Sequence, residues 1–206
     1  MKKFFTVIPL QKLGQLKPQR YQAVGNTLLQ MDIETCFPIL TALNGYVQQG
    51  EEFRLIAVMT DTEDGRRNRD TLRQELEQLC ERKGLVCPRG IETVSVPVDE
   101  RVSTHVATFQ KLIDLVDDDD ELFACMTFGT KPLSTAVQMA VQYAYRIKRN
   151  ASISCIVYGQ IDRTGEESKA SVYDMTALIQ LDEIVRVLAD RGVDNPKETI
   201  DRVLSL

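Results

Sequence analysis

Tryptophan is absent from this chain, histidine occurs once, and aromatic residues make up only 6% of it. A Ser-His-Asp or Cys-His enzyme would have to run through His105, and no G-x-S-x-G elbow accompanies it. His105 instead falls near the start of a helix, where a surface or cap position explains it. Cysteine is sparse: Cys36, Cys80, Cys87, Cys125 and Cys155 are odd in number and form no C-x-x-C pair, which argues against a zinc knuckle or a secreted disulfide framework. A reducing cytoplasm is the expected location. No run approaches the roughly 20 apolar residues of a membrane span, so no membrane segment is expected. Phe4 to Leu10, behind Met1-Lys2-Lys3, is too short for a leader and meets Gln11 and Lys12 where a cleavage site would need small residues. An excess of positive charge is also missing. With 25 basic against 30 acidic residues the net charge is −5, which argues against a broad electrostatic grip on DNA or RNA but leaves room for a small anion at one local positive site. Neither a Walker A pattern nor G-x-G-x-x-G occurs, so the usual triphosphate and dinucleotide readings fail, and nothing calls for a cofactor.

What is present is a chain of globular composition, 43% hydrophobic and 27% charged, in which strand-length apolar runs alternate with segments of helical period. The strands are expected at Phe4 to Pro9, Leu55 to Thr60, Thr93 to Val98, Leu122 to Thr127 and Ile153 to Gly159, with a weak sixth near Ser171 to Tyr173. Helices are expected at Glu34 to Gln48, Asn68 to Lys83, Ser103 to Asp117 and Pro132 to Arg149. This alternation predicts an α/β fold, a doubly wound and mainly parallel Rossmann-like sheet. Arg20 to Val24 and Thr27 to Met31, around Gly25-Asn26, read as a small β-hairpin inserted after the first strand. After Asp174 the pattern becomes two amphipathic helices, Ala177 to Arg191 and Pro196 to Leu206. The chain therefore divides into a Rossmann-like unit over residues 1–175 and a C-terminal helical extension over 176–206. The acidic run Asp117 to Glu121 reads as a solvated turn rather than a hard-cation site, and Tyr143 and Tyr145 read as packing residues.

Ligands of open parallel sheets bind outside the carboxyl ends of the strands, and the most informative such loop is Thr127-Phe128-Gly129-Thr130-Lys131-Pro132. Gly129 permits close backbone approach, Thr130 suits an N-cap, and Pro132 suits a first turn. The unpaired helix N–H groups, the Thr127 and Thr130 hydroxyls and the Lys131 ammonium would suit a phosphate. The same residues also make a capped helix with no ligand, and the sequence leaves both open.

Several of these segments together resemble the CARF (CRISPR-associated Rossmann fold) domains, in particular the branch named for a D-x-T-H-G motif. The resemblance runs from about Phe4 to Ala189 through Leu13-Gly14 and Tyr21, Thr35-Cys36-Phe37, Val58 to Glu63, Ile156 to Gly159 and Tyr173 to Thr176. Thr127 and Lys131 match two places of that family's ligand loop. Cys125 departs from a third, and Phe128 stands where the histidine is expected, so the loop is similar to the G-T-K-P variant. The resemblance implies a homodimer that binds a cyclic tetra- or hexa-adenylate, the messenger of type III CRISPR antiviral signalling, without contacting DNA. It implies base and ribose contacts from Gln11, Lys12, Thr60 and Asp61, with Thr127, Phe128, Gly129, Thr130, Lys131 and Tyr158 completing the ligand set. No HEPN nuclease pattern follows, and the last helices are too short for a nuclease and not basic enough for a winged helix. The implied function is a sensor. The alternative is a metal-independent ring nuclease in which the ribose 2′-hydroxyl attacks its own phosphate and Lys131 steadies the developing charge. A regulatory domain for another nucleotide is a third reading.

Overall fold

Phe4, Phe5, Val7 and Ile8 are all solvent-free, yet they do not share one core, because successive side chains of a strand leave opposite faces of its sheet. Phe4 and Ile8 join a cluster with Phe37, Phe123 and Leu72, whereas Phe5 and Val7 join one with Ile56, Leu112 and Val137. A strand apolar on both faces belongs in the middle of a parallel sheet covered by helices on each side. That is where Lys2–Val7 (β1) lies in the computed structural model, which describes residues 1–164 and 168–205.

The other strands are Tyr21–Val24 (β2), Phe53–Thr60 (β3), Ile91–Val96 (β4), Glu121–Cys125 (β5), Ser152–Asp162 (β6) and Lys169–Asp174 (β7). The helices are Ile39–Tyr46 (α1), Glu63–Lys83 (α2), Val102–Ile113 (α3), Lys131–Ile147 (α4), Thr176–Asp190 (α5) and Pro196–Leu204 (α6). The sheet order is β2-β7-β6-β5-β1-β3-β4, and every pairing is parallel except β6 with β7. From β1 the chain builds outward through β3 and β4, then returns to build the other way through β5 and β6. The fold is thus the expected doubly wound α/β sheet, and its switch point lies between β1 and β5. The final helix was expected to reach Leu206, which lies outside the described residues.

The inserted hairpin does not form. Tyr21–Val24 pairs with Lys169–Asp174 in parallel, and Thr27–Leu29 is a single 3₁₀ turn. The reason is Asn26, whose side chain caps that turn at the Leu28 N–H and also donates to Asp174 Oδ2 at 2.7 Å and to the Tyr46 hydroxyl at 2.8 Å. Two helix starts also move. α1 begins at Ile39 rather than Glu34 because Thr35 is held by a backbone bridge to Gln19 and by a hydroxyl bond to Glu75. α2 begins at Glu63 rather than Asn68, with the Thr62 hydroxyl accepting from the Gly65 N–H at 2.9 Å.

The acidic run is only partly a solvated turn. Asp118 and Asp119 are exposed, but Asp120 is buried, and its Oδ2 lies 2.6 Å from the buried Lys3 ammonium. That ammonium also donates to Asp117 Oδ2 at 2.6 Å and to the Leu115 carbonyl at 2.8 Å. The cation facing these carboxylates is the chain's own. Tyr143 packs edge-on against Phe109 as expected, whereas Tyr145 is largely exposed. Among the described residues no helix is long and apolar enough to cross a membrane.

Candidate functional site

The loop after β1 turns away from the sheet at Pro9, and its carbonyls would be unpaired without help from α2. Asn68 supplies it, donating to the Pro9 carbonyl at 2.8 Å and to the Gln11 carbonyl at 2.9 Å from a fully buried position. Arg67 adds a bond to the Gln11 carbonyl at 3.2 Å and is itself held by Asp64. The first strand-end loop is therefore pinned to a helix. The second, after β5, is pinned to β6: the Thr127 hydroxyl accepts the Gly159 N–H at 2.8 Å and a contact from the Cys125 thiol at 3.1 Å. Gly129 then turns the chain at φ 98°, and a Cβ there would stand 2.6 Å from Val7 Cγ1. Only glycine lets the loop cross over β1 at that distance.

These two loops border the switch point and leave a hollow of about 470 Å³ between them, lined by Gln11, Gln15, Thr127, Phe128, Gly129 and Thr130 among others. A flanking hollow of about 630 Å³ shares Gln11, Gln15 and Phe128 and continues past Lys17, Gln19, Tyr21 and Arg163. Phe128 is the partition. Its ring is half-buried and meets Phe37 edge to face, with centroids 6.2 Å apart. Among the described residues no carboxylate lines either hollow, although acidic residues outnumber basic ones in the chain.

α4 begins at the rim. Thr130 occupies the N-cap position, but its hydroxyl does not cap the helix as expected. It reaches instead toward Glu100 Oε2, at 3.4 Å, and no side chain caps the first turn. The positive end of the helix is consequently left toward the rim, next to the exposed Lys131, for which no ion pair occurs among the described residues. His105 is mostly buried behind this rim, with Nε2 3.2 Å from Glu100 Oε2.

Gln11, Thr127, Phe128, Gly129 and Thr130 are thus brought together; Lys12 and Lys131, next in sequence to Gln11 and Thr130, are exposed and line neither hollow. Thr60 and Asp61 do not join the hollows: Thr60 is buried at the end of β3, and Asp61 is paired with Arg66. Tyr158 opens on the other face of the sheet, in a separate apolar hollow of about 260 Å³ with Met126, Val141 and Leu178. Sequence reasoning missed Asn68, Gln15, Lys17 and Arg163. Asn68 carried a signal, since it shares the buried stripe of α2 with Leu72, Leu76 and Leu79, and an amide on such a stripe needs partners. Lys17 and Arg163, in irregular loops, carried none.

Burial pushes the Cys36 thiol and the Tyr21 phenol up from their ordinary values, with Glu75 adding to the shift of Cys36, so both stay neutral where they line the flanking hollow. Among the described residues the lining of the two hollows offers amide, aromatic and cationic contacts. The fold and site together define a doubly wound α/β protein with a ligand-type crevice at its switch point. No protein-family model matches the chain, and no curated protein matches it.

Proposed function

We propose that the chain is a receptor for a phosphate-bearing nucleotide, and, in the form its CARF resemblance names, a cyclic oligoadenylate sensor of type III CRISPR signalling that works as a homodimer. The observation that carries the reading is the switch-point crevice itself, where an uncapped helix start and a half-buried Phe128 ring border one hollow free of described carboxylates and the exposed Lys131 directly follows the lining residue Thr130. Helix N–H groups and an ammonium suit phosphate oxygens, and an aromatic ring suits a base face. A cyclic messenger carries rotational symmetry, so two copies of the crevice related by a two-fold axis can hold one ring. The receptor reading needs only these contacts, whereas a ring nuclease must in addition hold the ribose 2′-hydroxyl in line with its phosphate.

The deciding experiment is calorimetry with cyclic tetra- and hexa-adenylate, followed by chromatography of the recovered ligand after hours in chelator. The receptor reading expects a tight complex and an intact ring. Linear fragments ending in a 2′,3′-cyclic phosphate would make the protein a ring nuclease, and no binding of either ring would overturn the nucleotide reading. Light scattering on a sizing column checks the dimer: a monomer at micromolar concentration with and without ring rules out a shared pocket.

A further inference from the structure

The chain between Gln11 and Gln19 is tied down at its two ends and hardly at all between them. At one end Asn68 and Arg67 hold the Gln11 carbonyl, and at the other Gln19 and Thr35 exchange backbone bonds of 2.9 Å in each direction. Between these ties the hydrogen bonds among the described residues are local ones, from the Gln15 N–H to the Lys12 carbonyl at 2.9 Å and from the Lys12 N–H to Gln15 Oε1 at 3.3 Å. Leu16 is half-buried against the core, whereas Leu13, in the turn, is 79% exposed. Few buried contacts and solvent-facing amides mark a segment that moves at little cost. An apolar side chain carried by such a segment is stabilised when something covers it.

Charge supplies what would draw the segment shut. No Asp or Glu occurs between Met1 and Met31, in a chain whose acidic residues outnumber its basic ones, and the segment carries Lys12 and Lys17, neither of them in an ion pair among the described residues. It also borders both hollows, since Gly14, Leu16 and Lys17 line the flanking one and Gln15 lines the two. We propose that residues 12–18 form a strap that closes over an anionic occupant of the crevice, its two ammonium groups drawn to phosphate and Leu13 covering the ligand. Closure leaves the ties at Gln11 and Gln19 in place, because both lie outside the moving part. The inference rests on the nucleotide reading above and adds how the site shuts.

The test is amide hydrogen exchange with and without cyclic tetra- or hexa-adenylate, at a ring concentration that calorimetry shows to be saturating. Exchange at residues 12–17 should slow at least tenfold in the complex. Leu13→Ser supplies the second measurement. Its side chain is exposed in the free protein, so the melting temperature should not change and the association rate should stay within about twofold, while release of the ring should quicken at least fivefold, because the contact forms only after docking. Exchange that is unaltered in a saturated complex, or release from Leu13→Ser no faster than from wild type, overturns the strap and leaves the nucleotide reading standing. Failure of both rings to bind overturns both.

Discussion

Gly129 meets two demands at once: a backbone φ of 98° and a path so close to Val7 that a methyl group would overlap it. Gly129→Ala should therefore cost about 2–4 kcal/mol, part from the left-handed backbone and part from the clash. Calorimetric unfolding separates the parts, since adding Val7→Ala should recover only the clash; full recovery would mean that the backbone is unstrained. Lys131→Ala is the converse case. Nothing in the described fold uses this exposed ammonium, so its loss should leave the melting temperature within a degree or two yet weaken ring binding at least tenfold, the share of a charge-assisted contact of about 1.5–3 kcal/mol. Unchanged affinity would reduce the α4 start to a structural turn. Thr127, by contrast, has a hydroxyl committed to the Gly159 N–H, and Thr127→Val should lower stability by about 1–3 kcal/mol through the unpaired amide. The type of each of these residues was readable in the sequence as loop chemistry. Which of them face a ligand and which face the protein was not, because that depends on strands distant in the chain.

The same limit operates at the level of elements. Strands with near-continuous apolar runs, such as β3 with all eight residues buried, announced themselves. Helices announced themselves by their period, but their starts shifted wherever a tertiary contact outbid the local signal, as Thr35 and Glu75 do ahead of α1. The misread hairpin has the same cause. Gly25-Asn26 has the composition of a tight turn, yet Asn26 spends its amide on Asp174 and Tyr46, 148 and 20 residues away. α2 offers the test at this scale. Asn68→Ala should strip the Pro9 and Gln11 carbonyls of their partner, lower stability by about 1–3 kcal/mol, and raise hydrogen exchange in residues 9–15. Unaltered exchange there would show that the loop holds its shape without α2.

Across the whole molecule, the two core layers meet at a sheet whose amino-terminal end is held by ion pairs rather than by packing alone. Arg54 grips Glu92 with two bonds, at 2.6 and 2.8 Å, and Lys3 lies between Asp117 and Asp120. The Arg54 bonds hold the Glu92 carboxyl below its ordinary range, and the Lys3 bond does the same for Asp117. A folded-state value below the unfolded one makes stability present above the ordinary carboxylate range, about pH 4, and lost as pH falls through the depressed folded-state value. The melting temperature should thus be level from about pH 7 to 5 and drop below about pH 4. Glu92→Gln with Asp117→Asn should melt lower at neutral pH and fall less steeply in acid; an unchanged acid slope would assign the loss to other groups. The alternation of strands and helices made the doubly wound sheet legible, while its switch point follows from a strand order that alternation does not give, and the crevice walls contributed by Lys17 and Arg163 come from loops that carry no periodic signal.

β2 has a further consequence for how the molecule comes into being. Tyr21 lies opposite Ala170, so among the described residues the second strand finds its sheet partner in the last one. At about 5–20 residues per second, some 149 residues of synthesis separate the two, about 7–30 s during which β2 has no strand to join. The flanking hollow shares this delay, since its walls come from Gln15 to Tyr21 on one side and from Ile161, Arg163 and Ser168 on the other. A nascent chain can thus present the α4 rim to a phosphate before it can enclose the rest of a ligand, and the enclosed crevice waits for β7.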